Sequence, residues 1–170
     1  MLKLISIVCA VIFLVHFTTA QEIGDEIRLH STAKCQKGWF AAGDNCYIYV
    51  DKKTSWYNAV HHCNTVLDSH LATIQSAEIN KMIIDESKRF GGSNFYIGLL
   101  HTNDHLVWSK GDSISYTNFS EMNLKFYVVS VCAVVNNIPA SADFGKWSRI
   151  PCQQEQPFLC MRPQHAIYTM

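Results

Sequence analysis

Cys35-Gln36-Lys37-Gly38-Trp39-Phe40-Ala41-Ala42-Gly43-Asp44-Asn45-Cys46-Tyr47-Ile48-Tyr49 carries two of the chain's seven cysteines, and Tyr47–Val50 has the make-up of a short strand. Seven cysteines are many for a reducing compartment, yet an odd number fits badly with a fully paired set. The odd one lies upstream, in Met1–Ala20 (MLKLISIVCAVIFLVHFTTA). There a single basic residue, Lys3, precedes an apolar run from Leu4 to Val15, and Thr18-Thr19-Ala20 supplies small residues. This is the layout of a secretory signal peptide (1–20). The run is shorter than the ~20 residues that span a bilayer, and His16 breaks it. Cleavage after Ala20 removes Cys9 and Lys3, leaving 13 basic residues, 14 acidic residues and six cysteines. An even set in an oxidising compartment is the expectation, and with it a secreted, extracellular protein.

A length of 170 residues suggests one domain. A formal net charge of zero excludes a bulk cationic field that would steer the chain to nucleic acid or anionic membranes. With 48% hydrophobic, 12% aromatic and only 16% charged residues, disorder is excluded as well. No second apolar stretch is long enough to act as a membrane anchor. Residues 21–34 form an N-terminal arm, 35–162 the folded domain, and 163–170 a short polar tail.

Two helices stand out downstream of Cys35–Tyr49. Trp56, Ala59, Val60, Cys63 and Leu67 recur at helical spacing after Thr54 or Ser55 as a cap. Ser76 caps a second, with Ile79, Met82, Ile83 and Phe90 on its apolar face, an Asp85/Arg89 pair outside, and Gly91-Gly92 as its stop. Beyond Gly92 the pattern turns to strands: Phe95–Leu100, Leu106–Ser109, Tyr127–Val135, Lys146–Ile150 and Phe158–Met161, with Leu71–Ile74 shorter. Helices early and strands late indicate an α+β fold. Spacing alone leaves fifteen pairings of six cysteines open.

The residues around those cysteines resemble a family. Cys35–Tyr49 is similar to the N-terminal hairpin of long-form C-type lectin-like domains, and Trp56-Tyr57-Asn58-Ala59 through Cys63 to their first helix. His70-Leu71-Ala72-Thr73-Ile74 resembles the stretch that follows it, and Phe95-Tyr96-Ile97-Gly98-Leu99 their W-I-G-L strand with Tyr for Trp. Trp108, Gly145-Lys146-Trp147, Cys152 and Pro157-Phe158-Leu159-Cys160 complete the order. The resemblance implies two helices flanking small antiparallel sheets, and three disulfides: Cys35–Cys46, Cys63–Cys160 and Cys132–Cys152. That pairing leaves no spare cysteine for a covalent dimer.

In sugar-binding members of that family a calcium ion bridges protein and glycan, held by a Glu-Pro-Asn-type triplet, a nearby Glu and a W-N-D motif. Calcium wants 6–8 oxygens, and vicinal sugar hydroxyls supply two. Here Trp147 is followed by Ser148 and Arg149, so the amide and carboxylate are missing. A guanidinium accepts no hydrogen bond and repels a cation. Glu121-Met122-Asn123 keeps two residual metal candidates, Glu121 and Asn123, but Met122 replaces the proline. Two ligands of five disfavour Ca²⁺, so no cofactor is expected. Glu121 is the candidate partner for Arg149.

The expected ligand-binding residues are Glu121, Asn123, Trp147, Ser148 and Arg149, on a surface formed by 118–125 and 136–149, with Phe126 or Phe144 for stacking. Trp39, Trp56 and Trp108 read as core. His61 and His62 lie off the apolar stripe, as solvated side chains rather than metal ligands. No G-x-S-x-G or H-E-x-x-H motif is present, so no catalytic residue is assigned. Asn118-Phe119-Ser120 is the one N-x-S/T sequon and marks a glycoprotein with an exposed loop. The expected function is carbohydrate recognition without primary-site calcium, with association to innate immunity. The alternative is a toxin- or inhibitor-like effector whose ligand is an extracellular or cell-surface protein.

Overall fold

The computed structural model describes residues 35–102, 105–120 and 130–164, within the compact unit Cys35–Gln164. The signal segment, the arm 21–34, tail residues 165–170, Glu121, Asn123, Phe126 and the first part of the Tyr127–Val135 strand lie outside the described residues.

The Cys35–Tyr49 stretch forms a hairpin, β1 (Phe40–Ala42) against β2 (Asn45–Thr54). Strand β2 runs well past Val50, because a bulge between Val50 and Thr54 lets its polar end stay paired with the last strand. Ser55 then caps α1 (Trp56–Val66), its Oγ accepting from Asn58 N at 3.4 Å. Trp56, Ala59 and Cys63 are buried, as the stripe requires.

β3 is only His70–Leu71. The chain beyond it leaves strand pairing and threads between two later strands: Ala72 N donates to Leu159 O (2.8 Å) and Gly98 N to Ala72 O (2.8 Å). That close passage explains the glycine of the Phe95–Leu99 stretch. A Cβ on Gly98 would sit 2.8 Å from Leu71 O and 2.9 Å from Ser109 Oγ.

Ser76 caps α2 (Ala77–Ser87), accepting from Ile79 N at 3.2 Å. The helix ends four residues before Gly91, so Arg89 has no i,i+4 partner. Asp85 instead pairs with Lys81 (3.2 Å) and Lys88 (2.8 Å), which lower its pKa, while Arg89 pairs with Glu86. Asn137 supplies the early stop: its Nδ2 donates to Ser87 O (3.1 Å), and Ser87 Oγ donates to Asn137 Oδ1 (2.8 Å). Met82 turns to solvent rather than to the core. Phe90, beyond the helix, stacks on Tyr49 at 4.3 Å.

The remaining strands are β4 (Phe95–Thr102), β5 (His105–Trp108), β6 (Val131–Val135), β7 (Trp147–Pro151) and β8 (Gln156–Pro163). They join in one sheet, β1-β2-β8-β4-β6-β7, with β3 on β8 and β5 on β4. As the fold expectation has it, the pairings between these strands are antiparallel, except for one parallel bridge, Tyr96 to Phe158, that links β4 to β8 and makes the sheet mixed. The two strands are far apart in sequence, so no local pattern announces their contact. The disulfides are Cys35–Cys46, Cys63–Cys160 and Cys132–Cys152.

Tyr96, which stands where the family strand has Trp, is fully buried and donates its hydroxyl to Gln154 O at 2.6 Å. Burial pushes the hydroxyls of Tyr47 and Tyr96 above the usual tyrosine range. Burial, then the charge of Asp51 and a hydrogen bond to it, raise Tyr49 to about 12. The fold thus favours neutral phenols, whereas an unfolded chain ionises them near pH 10. Stability is fully present below about pH 10 and is lost as pH climbs through the raised native values. Tyrosinate absorbance should therefore show these three phenols ionising only with alkaline unfolding. A single step near pH 10 covering all tyrosines would contradict this.

Candidate ligand-binding face

Strand β7 organises the face. Its period of two points Trp147 and Arg149 to one side and Ser148 to the other. The expectation that Trp147 lies at a ligand surface is corrected by the structure, because the ring is fully buried (0% exposed). Trp108, Tyr116 and Phe119 meet it edge-on at 6.0, 5.6 and 5.7 Å. Its indole N–H donates to Asn80 Oδ1 at 2.8 Å. A large ring with one polar handle is well placed in such a box. Its role is to hold the face together from beneath.

The backbone around it is clamped. Trp147 N donates to Asn118 O (2.7 Å) and Ser120 N to Trp147 O (2.9 Å), so Phe119 lies beside β7 as a parallel bridge. Gly145 turns the chain into β7 at φ +82°, where a side chain would be strained. Its carbonyl accepts from Asn118 Nδ2 (3.0 Å) and Asn80 Nδ2 (3.3 Å). Asn118 is therefore half-buried and bonded, not the freely exposed loop residue that the sequon implies.

Ser148 is half-buried, and its Oγ accepts from Asn136 Nδ2 at 2.9 Å. The Arg149 guanidinium carbon sits 3.7 Å above the centre of the Phe119 ring. A cation over an aromatic face is worth about 0.5–2 kcal/mol, more as water is excluded. Burial raises the pKa of the neighbouring Tyr116 hydroxyl. Phe144 is half-buried nearby in sequence. Glu121 and Asn123 lie outside the described residues, and so does the suggested Glu121–Arg149 pair.

Of the two positions aligned with the W-N-D ligands, one offers a hydroxyl already bonded to an amide and the other a cation, whereas calcium needs several anionic or carbonyl oxygens. No group of three or more His, Cys, Asp or Glu is placed to hold a metal among the described residues. His61 is exposed, whereas His62 is half-buried with its ring edge-on to Phe158 at 5.3 Å, less solvated than its helical position implies.

Two residues of the site escape a reading of the sequence: Phe119 as the seat of Arg149, and Asn80 as the partner of Trp147. No local signal marks either, because both contacts join distant parts of the chain.

Residues 52–162 match the family model described as the lectin C-type domain. Lectin BRA-3 of Megabalanus rosa is 30% identical over 140 residues, covering 78% of this chain and 83% of its own. One chain of the snaclec coagulation factor IX/factor X-binding protein of Protobothrops flavoviridis is 29% identical over 139 residues, covering 75% and 84%. Among solved structures, human lithostathine superposes with a TM-score of 0.69 at 22% identity, over 77% of this chain and 92% of that one. Together with the hairpin, the two capped helices, the mixed sheet and the three disulfides, these matches show that the chain belongs to the C-type lectin domain family.

Proposed function

We propose that the chain is a secreted recognition module whose face at 118–120 and 136–149 binds glycan without calcium in the family's primary site. The observation that carries this reading is Arg149, which stands in the sequence where the family pattern has a carboxylate and whose guanidinium lies over the Phe119 ring. A guanidinium stacked on an aromatic ring makes a flat, cationic and partly apolar surface on which the C–H face of a sugar can rest. Three disulfides suit an oxidising, extracellular setting, and no helix among the described residues is long and apolar enough to cross a membrane. A glycan on Asn118 would border this face while leaving one amide N–H for Gly145 O.

A second reading is a protein ligand. The factor-binding snaclec, about as similar to this chain as the lectin is, favours it. An arginine on an aromatic ring is also the kind of cluster that dominates protein interfaces. A glycan array run with calcium and with EDTA tests both. Equal binding in the two buffers, weakened by about tenfold in Arg149→Ala, is expected. Binding abolished by EDTA would return a calcium-dependent lectin, and silence on the array in both buffers would point to a protein partner.

A further inference from the structure

A cleft of about 240 Å³ lies between β2 and α1 and shares no residue with the face just described. Helix α1 buries one stripe, Trp56, Ala59 and Cys63. A second stripe, Asn58, His61, His62 and Thr65, recurs at the same helical spacing and lines the cleft. Across from it β2 supplies Lys52 and Thr54, and Phe158 of β8 forms the floor. The floor is sealed but the walls are open to solutes: Lys52, Asn58, His61 and Thr65 are exposed, and Thr54 and His62 are half-buried. The His62 ring stands edge-on to Phe158 at 5.3 Å, which holds it against the floor.

The lining is basic and carries no counter-charge. Its titratable groups are His61 and His62 from α1 and Lys52 from β2, while β8 adds only the Phe158 ring. Among the described residues no Asp or Glu lines it. Asp51, beside Lys52 in sequence, is engaged elsewhere, accepting from Tyr49 Oη at 3.3 Å. Among the described residues Lys81, Lys88, Arg89, Lys110 and Lys146 all pair with carboxylates, whereas Lys52, His61 and His62 do not. Thr65 Oγ1 donates to His61 O at 2.8 Å, so the Thr54 hydroxyl and the Asn58 amide are the neutral donors left to the cleft. Three basic groups and two neutral donors around one opening make a seat for an oxyanion, to which hydrogen bonds are roughly twice as strong as between neutral groups. Histidine gains its charge between about pH 8 and about pH 5, so a seat built with two of them tightens in acid.

We propose that this cleft binds a single oxyanion, the sulfate or phosphate group of an ester, gripped by Lys52, His61 and His62 and held more tightly as pH falls. This seat is independent of the arginine-centred face, and either can fail alone. The test is NMR of the histidine rings and backbone amides of the disulfide-bonded protein, titrated with sodium sulfate at constant ionic strength. Sulfate keeps both charges at about pH 5.5 and at about pH 8, so a difference between the two belongs to the protein. Saturable millimolar shifts centred on Asn58, His61 and His62 are expected at the lower pH, with affinity about tenfold weaker at the higher. Lys52→Gln and His61→Gln, both at exposed positions, should each weaken binding by about tenfold and leave the unfolding midpoint unchanged. Lys53→Gln, next in sequence but outside the lining, should bind like the parent. Methyl sulfate and methyl phosphate then separate the two esters, and the one that saturates the same resonances at lower concentration is the class served. Shifts that stay linear in sulfate, equal affinity at both pH values, or equal losses in Lys52→Gln and Lys53→Gln would overturn the proposal and leave His61 and His62 as plain solvated side chains.

Discussion

Trp147→Ala is expected to cost about 3–5 kcal/mol of folding stability, measured by urea unfolding. The ring is closed off from solvent and packed against three other rings, so its loss leaves a cavity that Trp108, Tyr116 and Phe119 cannot all collapse into. It also strips Asn80 Oδ1 of its donor. Asn80 is itself buried (7% exposed), so that oxygen finds no water in exchange. Trp147→Phe separates the two contributions. It refills much of the volume but leaves the amide bereft, and about 1–3 kcal/mol is expected. A cost below about 1 kcal/mol for the alanine variant would mean that Trp147 is a surface residue after all.

The second large effect lies in the Cys63–Cys160 bond. It joins α1 to β8 across a sequence separation of 97, against 11 for Cys35–Cys46 and 20 for Cys132–Cys152. Constraint of the unfolded chain grows with loop length, which gives about 4–5 kcal/mol for the long loop and about 3 kcal/mol for each short one. Both Cys63 and Cys160 are fully buried, so paired replacement by alanine also loses core packing. Equilibrium unfolding of the three double-alanine variants should rank Cys63/Cys160 as the most damaging. A larger loss at Cys35/Cys46 would reverse the entropic account.

What is legible in the sequence is local. Ser55 and Ser76 announce their helices because a cap bonds within three residues, and the α1 stripe needs only its own periodicity. Gly98 can be placed in a family strand, yet its reason, the approach of Leu71 O, comes from another segment. The end of α2 falls earlier than Gly91-Gly92 suggests because Asn137, fifty positions beyond Ser87, sets it. The burial of Trp147 is hidden for the same kind of reason: its box is drawn from Asn80, Trp108, Tyr116 and Phe119, four separate places in the chain. Arg149 is readable as a departure from a metal-ligand pattern. Its seat on Phe119 is not, since nothing local ties residues 119 and 149 together.

Helix α2 acts as a beam under the candidate face. From one end Asn80 holds Gly145 O and the Trp147 indole; from the other, Ser87 is locked to Asn137. The turn between β6 and β7 is thereby nailed to the helix at both of its ends. Its order is acquired when the protein folds, not when a ligand arrives. A partner meeting this part of the face encounters a stiff template, with no flexible loop to freeze on contact. Discrimination there will rest on shape rather than on adaptation.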